Sequence, residues 1–200
     1  MLGDVWEAID EGRNADARAL LEGDPALLAS DPGQMALGYA LAHDGRFDEA
    51  REVYTKLRAD HAGTPGEHIF VHQLGMVERL AGDHRAALRL FAEERALVDG
   101  LPEAERAFKR AVNGYEVGVN HLALGEVAEA QMALAAALAD AQAADDPMTL
   151  GCVHRALGDF AAQAGDRDTA RKEYEQAWAD FEDAGDERAA AEVQARRDAL

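Results

Sequence analysis

The sequence predicts an all-α solenoid of stacked, antiparallel helical hairpins, and three observations carry that reading. A short pattern occurs four times, as Leu37-Gly38, Gly45, Ala50 and Tyr54; as Leu74-Gly75, Gly82, Ala87 and Phe91; as Val117-Gly118, Gly125, Ala130 and Leu134; and as Leu157-Gly158, Gly165, Ala170 and Tyr174. In each copy the second glycine follows the first by seven residues and the alanine follows by five more. Recurrence with a period of about 40 residues marks a stack of structural units, each burying its apolar face against the next. The five prolines all stand where a helix is expected to begin. No stretch of useful length alternates apolar and polar residues with the period of a strand.

Taken in order, residues 1–30 form an amino-terminal hairpin around Gly12, in which Ala17 and Leu21 echo the repeat spacing. The run from Ala17 to Pro25 reads equally well as half of an ankyrin-like unit, and both readings give two antiparallel helices. Four repeats follow, at 31–64, 65–101, 102–146 and 147–184. Residues 185–200 supply a helix rich in Arg, Glu and Ala that suits a polar terminal cap. All are read as one domain, 1–200. Gly45, Gly82, Gly125 and Gly165 separate apolar-periodic runs and act as helix terminators. The other four glycines lie inside helices, where each costs about 1 kcal/mol against alanine. Close helix approach is the economical reason, with Gly38 pressing against the second helix near Ala50 while Tyr54 fills the space alongside. Asp24, Asp31, Thr64 and Asp146 precede prolines and are candidate caps, and Thr64 with Glu67 is a candidate capping box.

These residues resemble the tetratricopeptide repeat, whose pattern is a leucine-glycine in the first helix, a glycine turn, then an alanine and a large residue in the second. The resemblance covers roughly 32–183. The chain departs from it at the family's early tryptophan (Gln34, Val71, Gly114, His154) and first-helix tyrosine (Leu41, Glu78, His121, Ala161). It departs also at the late small residue, which is Leu57 and Glu94 in the first two copies. First glycines are 37, 43 and 40 residues apart, longer than the family's usual spacing of about 34. The copies therefore look like long-helix members such as kinesin light chain and bacterial peptide-sensing regulators. The resemblance implies a right-handed superhelical solenoid whose first helices line a concave groove. It places Met35, Tyr39, His72, Met76, Arg79, Tyr115, Val119, Arg155 and Asp159 there. Tyr and Arg are frequent hot-spot residues and Met adapts to varied apolar partners. The set suits a peptide with apolar anchors and acidic groups for Arg79 and Arg155. The carboxylate clamp of some members uses lysines and asparagines at groove positions; none of the three lysines or three asparagines stands there.

Composition narrows the class. A formal net charge of −19 disfavours nucleic acid and anionic membrane surfaces and keeps an alanine-rich chain soluble. The amino terminus lacks the basic and apolar regions of a signal peptide, and no apolar run is long enough to span a bilayer. The single cysteine, Cys152, excludes an internal disulfide and fits a cytoplasmic protein.

Motifs of catalysis are absent: no nucleophile elbow, phosphate-cradling loop, H-E-x-x-H or paired C-x-x-C occurs. Ser30 is better used as a cap. Cys152 and His154 would point about 200° apart on a helix, a poor thiol–base pair. His68 and His72 share a helix face at a spacing that suits one metal, but a third ligand would have to come from Glu67 or another helix. The expectation is a non-catalytic interaction module for a protein or peptide, without cofactor or metal. A ligand- or peptide-sensing regulatory domain is the alternative, and a metal-dependent or thiol enzyme is the third reading. Edge hairpins of a short solenoid can also stack on a second copy to form a homodimer.

Overall fold

The computed structural model describes residues 1–200 as twelve α-helices without a strand. They are α1 (Leu2–Asp10), α2 (Asn14–Glu22), α3 (Pro25–Leu28), α4 (Asp31–His43), α5 (Phe47–Asp60), α6 (Glu67–Leu80) and α7 (His84–Asp99), then α8 (Glu103–Ala123), α9 (Val127–Ala144), α10 (Pro147–Gln163), α11 (Arg167–Ala184) and α12 (Glu187–Asp198). No helix is long and apolar enough to cross a membrane. Two compact units divide the chain, Met1–Leu97 and Val98–Leu200, with the division near the end of α7.

Each repeat is a hairpin whose turn glycine adopts positive φ, as at Gly45 (75°) and Gly165 (79°). An L side chain is strained in that region, which is why glycine ends the first helix. The glycines inside the first helices have a different partner from the one expected. A Cβ on Gly38 would lie 2.6 Å from Cζ of Tyr54, and one on Gly75 2.7 Å from Cε1 of Phe91. The glycine thus makes a socket for the large residue of the second helix, and the alanine is not what it faces. Ala50, Tyr54, Ala87, Phe91, Ala130, Leu134, Ala170 and Tyr174 are all buried.

In the amino-terminal unit one apolar cluster joins Val5, Ala8, Ala17 and Leu21 to Ala36 and Ala40 of α4. The α1–α2 hairpin therefore buries Ala17 and Leu21 as the repeats bury their alanine and large residue. A second cluster runs from Tyr54 and Leu57 of α5 to Phe70, Leu74 and Val77 of α6. In the carboxyl-terminal unit Tyr174, Ala177 and Phe181 of α11 pack on Ala189, Ala190 and Val193 of α12. Burying one such aromatic side chain contributes roughly 2–3 kcal/mol.

Caps are partly as expected. Asp24 accepts from the amides of Ala26 and Leu27, and Asp146 accepts from that of Thr149 at 2.8 Å. Before Pro32 the cap is Ser30, which accepts from Gly33, rather than Asp31. The capping box at α6 does not form. The Thr64 hydroxyl donates to the His61 carbonyl, and Glu67 accepts from Gly63, because the chain turns tightly over 61–66 before the helix begins.

First helices of the two units differ in length. In the amino-terminal unit α4 and α6 have 13 and 14 residues, whereas α8 and α10 have 21 and 17. The additional turns lie before the repeat glycine. Phe108 on α8 and Met148 on α10 each stand ten residues ahead of it, where the first two repeats have Leu28 and Pro65, outside α4 and α6.

Candidate ligand-binding face

First helices of consecutive hairpins pack side by side within each unit, α4 on α6 and α8 on α10, so each unit has a first-helix face. All nine residues expected there are half-buried.

In the amino-terminal unit this face is closely packed around Tyr39. Trp6 of α1 meets the Tyr39 ring edge-on, with centroids 5.8 Å apart, and Tyr39 stacks on His43 at 4.2 Å. Burial pushes the Tyr39 hydroxyl up, assisted by the Asp10 carboxylate. Burial lowers His43, and the Arg79 charge lowers it further. Arg79 Nη2 lies 3.8 Å from the Met76 sulfur, and the Met35 carbonyl accepts from the Tyr54 hydroxyl at 3.2 Å. Between Tyr39, His43, Gln73 and Met76 about 10 Å³ is left, at the lower limit for one water. His72 turns toward α7, with Nδ1 3.1 Å from both carboxylate oxygens of the buried Glu94. That contact explains why an acidic residue occupies the late small position of the second repeat. His68 is buried. No three His, Cys, Asp or Glu side chains converge as a metal ion would require.

In the carboxyl-terminal unit four of the expected residues lie on two helices, and three of them belong to one polar chain. Arg155 Nη2 donates to the Tyr115 hydroxyl at 3.3 Å, its guanidinium lies 5.6 Å from the centre of the Phe181 ring, and Glu192 is 3.6 Å away. Glu192 pairs with Arg196 at 2.6 Å, and Arg196 reaches both oxygens of Asp159 at 2.7 and 2.8 Å. The Tyr174 hydroxyl donates to Asp159 at 2.8 Å. Burial, then this hydrogen bond, push Tyr174 up to about 12. Val119 stands beside this chain without taking part. The helix expected as a polar cap, α12, thus supplies Glu192 and Arg196 to the groups of α10.

Ahead of that chain the face opens into a recess of about 330 Å³. Phe108, Val112, Tyr115 and Glu116 line it from α8, and Asp146, Met148, Thr149 and Cys152 from the start of α10. The α8 residues recur at four, three and one positions, a single helical stripe. Phe108 is 50% exposed and Met148 39% exposed, so two large apolar groups stand at the mouth. Of the lining residues the resemblance placed only Tyr115 in the groove, and Cys152 entered only as a thiol beside His154. The signal for the others was the 43-residue spacing together with the apolar residue ten places before Gly118 and Gly158.

Cys152 and His154 are not brought together. Burial raises the Cys152 thiol in the recess wall. His154 turns to α11, with Nδ1 2.7 Å from Glu173 and Nε2 3.9 Å from Asp180. Burial pushes the Asp180 carboxyl up despite the histidine.

No protein-family model matches the sequence, and no curated protein matches it. Solved structures do share its fold. BtubC (BKLC) from P. vanneervenii is 16% identical with a TM-score of 0.65, covering 98% of this chain and 88% of that one. A point-substituted form of the kinesin light chain TPR-like repeats of Podosopora anserina is 20% identical with a TM-score of 0.66, covering 92% and 94%. A second structure of those Podosopora anserina repeats is 21% identical with a TM-score of 0.64, covering 94% and 95%. The chain has the tetratricopeptide-like helical-repeat fold.

Proposed function

We propose that this chain is a non-catalytic protein-interaction module that binds a segment of a partner protein on the first-helix face of its carboxyl-terminal unit. The fold is a repeat scaffold of a kind typical of protein interaction. The observation that carries the finer reading is the recess between α8 and α10, open to solvent and walled by Phe108, Val112, Tyr115 and Met148. Exposed aromatic and methionine side chains around a concavity mark places where a partner's apolar side chain is taken up. Arg155 and Asp159 support this face as a preorganised wall, since their charges are already paired within the unit. Acidic anchoring by Arg155, expected from the sequence, is thereby disfavoured. A lone cysteine suits a reducing compartment such as the cytoplasm.

The test is a pull-down from the source cell extract with the wild type beside a Phe108→Ser, Met148→Ser variant and a Tyr39→Ala variant, each checked for helicity by circular dichroism. A partner kept by Tyr39→Ala and lost by the folded recess variant is the expected result. A partner lost only with Tyr39→Ala moves the site to the amino-terminal unit.

A sensing domain is the second reading, favoured by one number. A volume of about 330 Å³ falls at the lower end of small-molecule sites. Protection of Cys152 from alkylation by a metabolite fraction of low molecular mass would select that reading.

A further inference from the structure

Granted a peptide-binding recess between α8 and α10, we infer that its occupant is an apolar side chain carried by a basic segment, with lysine or arginine on either side. No Lys, Arg or His lines the recess, whereas Glu116 and Asp146 do. The Cys152 thiol in its wall feels three carboxylates, those of Glu116, Asp186 and Asp146, against one guanidinium, that of Arg155. That guanidinium, beside the recess wall, is already engaged by the Tyr115 hydroxyl, the Phe181 ring and Glu192. The turn that leads into α10 adds Asp145 beside Asp146. Low-dielectric walls focus such a field, so the mouth attracts cations and opposes carboxylates. The net charge of −19 extends the same sign over the chain. Long basic side chains also suit the rim sterically. Their methylene stems can lie along Phe108 and Met148 while the charged ends reach the partly exposed Asp146 carboxylate, and an ammonium or guanidinium is favoured over the exposed Phe108 side chain.

Fluorescent peptides test this on the full 200-residue chain. Each carries a central Phe-Leu pair flanked on both sides by two Lys, two Ser or two Glu residues. Binding is read by anisotropy, and occupancy by the rate at which iodoacetamide, a neutral reagent, alkylates Cys152. The lysine-flanked peptide is expected to bind about tenfold more tightly than the serine-flanked one and to slow alkylation, with a preference that narrows as salt is raised. The glutamate-flanked peptide should be the weakest.

Two variants separate the contributions. Phe108→Ser, at an exposed position, should abolish binding of all three peptides. Asp146→Asn with Asp186→Asn keeps both helix caps, because Asn caps as well as Asp, and should remove the lysine preference by bringing the lysine-flanked peptide down to the affinity of the serine-flanked one. Equal or stronger binding of the glutamate-flanked peptide overturns the basic assignment and leaves the peptide-binding recess standing. Lysine-flanked binding that survives Phe108→Ser also overturns it, since it would be attraction to the acidic surface at large. Failure of every peptide to bind or to protect Cys152 overturns both the inference and the recess reading beneath it.

Discussion

In the amino-terminal unit, Trp6, Tyr39 and His43 lie ring against ring, and the space between Tyr39, His43, Gln73 and Met76 is about 10 Å³. In the carboxyl-terminal unit the corresponding face leaves about 330 Å³ between Phe108, Tyr115, Met148 and Cys152. The same glycine–alanine pattern builds both. The difference comes from what is added outside the pattern. The first unit adds a short hairpin whose Trp6 reaches across to Tyr39. The second adds turns to α8 and α10, and residues of those turns border the gap. A repeat motif thus fixes how two helices of a hairpin meet, and the residues before it decide whether the face is a wall or a cleft.

The shared part of this comparison predicts the largest effects. Alanine at Gly75 would place Cβ 2.7 Å from the Phe91 ring, and alanine at Gly158 would place it 2.5 Å from the Tyr174 ring. A flat ring locked in the core cannot yield, so each substitution should lower the unfolding free energy by about 2–3 kcal/mol in urea. At Gly118 the obstacle is Leu134, 2.6 Å away, whose branch can rotate. That loss should be about half as large. Equal losses at all three sites would show that the backbone spacing, and not the rigidity of the neighbour, sets the cost.

Trp6→Ala addresses the closed face directly. It removes the edge contact on Tyr39 and should cost about 2 kcal/mol, below the roughly 3–5 kcal/mol for losing a fully buried aromatic because Trp6 is only half-buried. Because burial is the leading cause that holds the Tyr39 hydroxyl up, the variant should also titrate Tyr39 closer to the ordinary tyrosine value in spectrophotometry. An unchanged Tyr39 titration would mean that neighbours other than Trp6 keep that face closed.

Much of this architecture was legible in the sequence because it depends on local rules. The turn glycines, the helix starts at Pro25, Pro32 and Pro147, and buried positions such as Ala130 and Leu134 follow from backbone geometry and periodicity, whereas Pro65 and Pro102 stand just outside α6 and α8. The partner of Gly38, the Tyr54 ring, is not legible in the sequence, because a single sequence gives the residues on a helix face without saying how two helices interdigitate. The failed capping box at Thr64 has the same origin: a preceding turn, unseen in the pattern, claimed both side chains. The candidate site was less legible. Half-burial of Tyr115 and Arg155 follows from their register, but the ion pairs that occupy Arg155 and Asp159 come from α12, 37 residues further along at Arg196. The recess was signalled only by spacing, since no motif specifies an empty volume.

A smaller effect distinguishes two ends within the second unit. Asp145, which ends α9, has φ of 52°, while Gly185, which ends α11, has φ of 74°. Aspartate tolerates the left-handed region better than most residues, yet it still bears a penalty of roughly 1 kcal/mol that glycine escapes. Asp145→Gly should therefore raise the melting temperature by about 2–4 °C, and Gly185→Asp should lower it by a similar amount. Opposite signs in calorimetry would sharpen the view that these ends are governed by the same cap.

The smallest and most specific contrast is between Tyr54 and Tyr174, the large second-helix residues of the first and fourth repeats. Tyr54 donates to a neutral carbonyl, that of Met35, whereas Tyr174 donates to the Asp159 carboxylate. Both hydroxyls titrate higher than an ordinary tyrosine, Tyr54 chiefly through burial and Tyr174 through burial and then Asp159, to about 12. A tyrosine whose folded value is raised holds its proton more tightly when folded. Its stabilisation is complete below the unfolded value of about 10 and is lost as pH rises through the folded value. Tyr174→Phe should thus cost about 0.5–1 kcal/mol at pH 7, the net worth of one hydrogen bond, and progressively less as pH climbs from about 10 toward 12. Tyr54→Phe should follow the same course with one difference. Salt screens the Asp159 carboxylate, which Arg196 also shares, so raising ionic strength should bring the Tyr174 titration down while leaving that of Tyr54 in place. Equal salt responses at the two sites would mean that burial alone sets both hydroxyls, and that the polar chain from Tyr115 to Asp159 has no hold on the core beneath it.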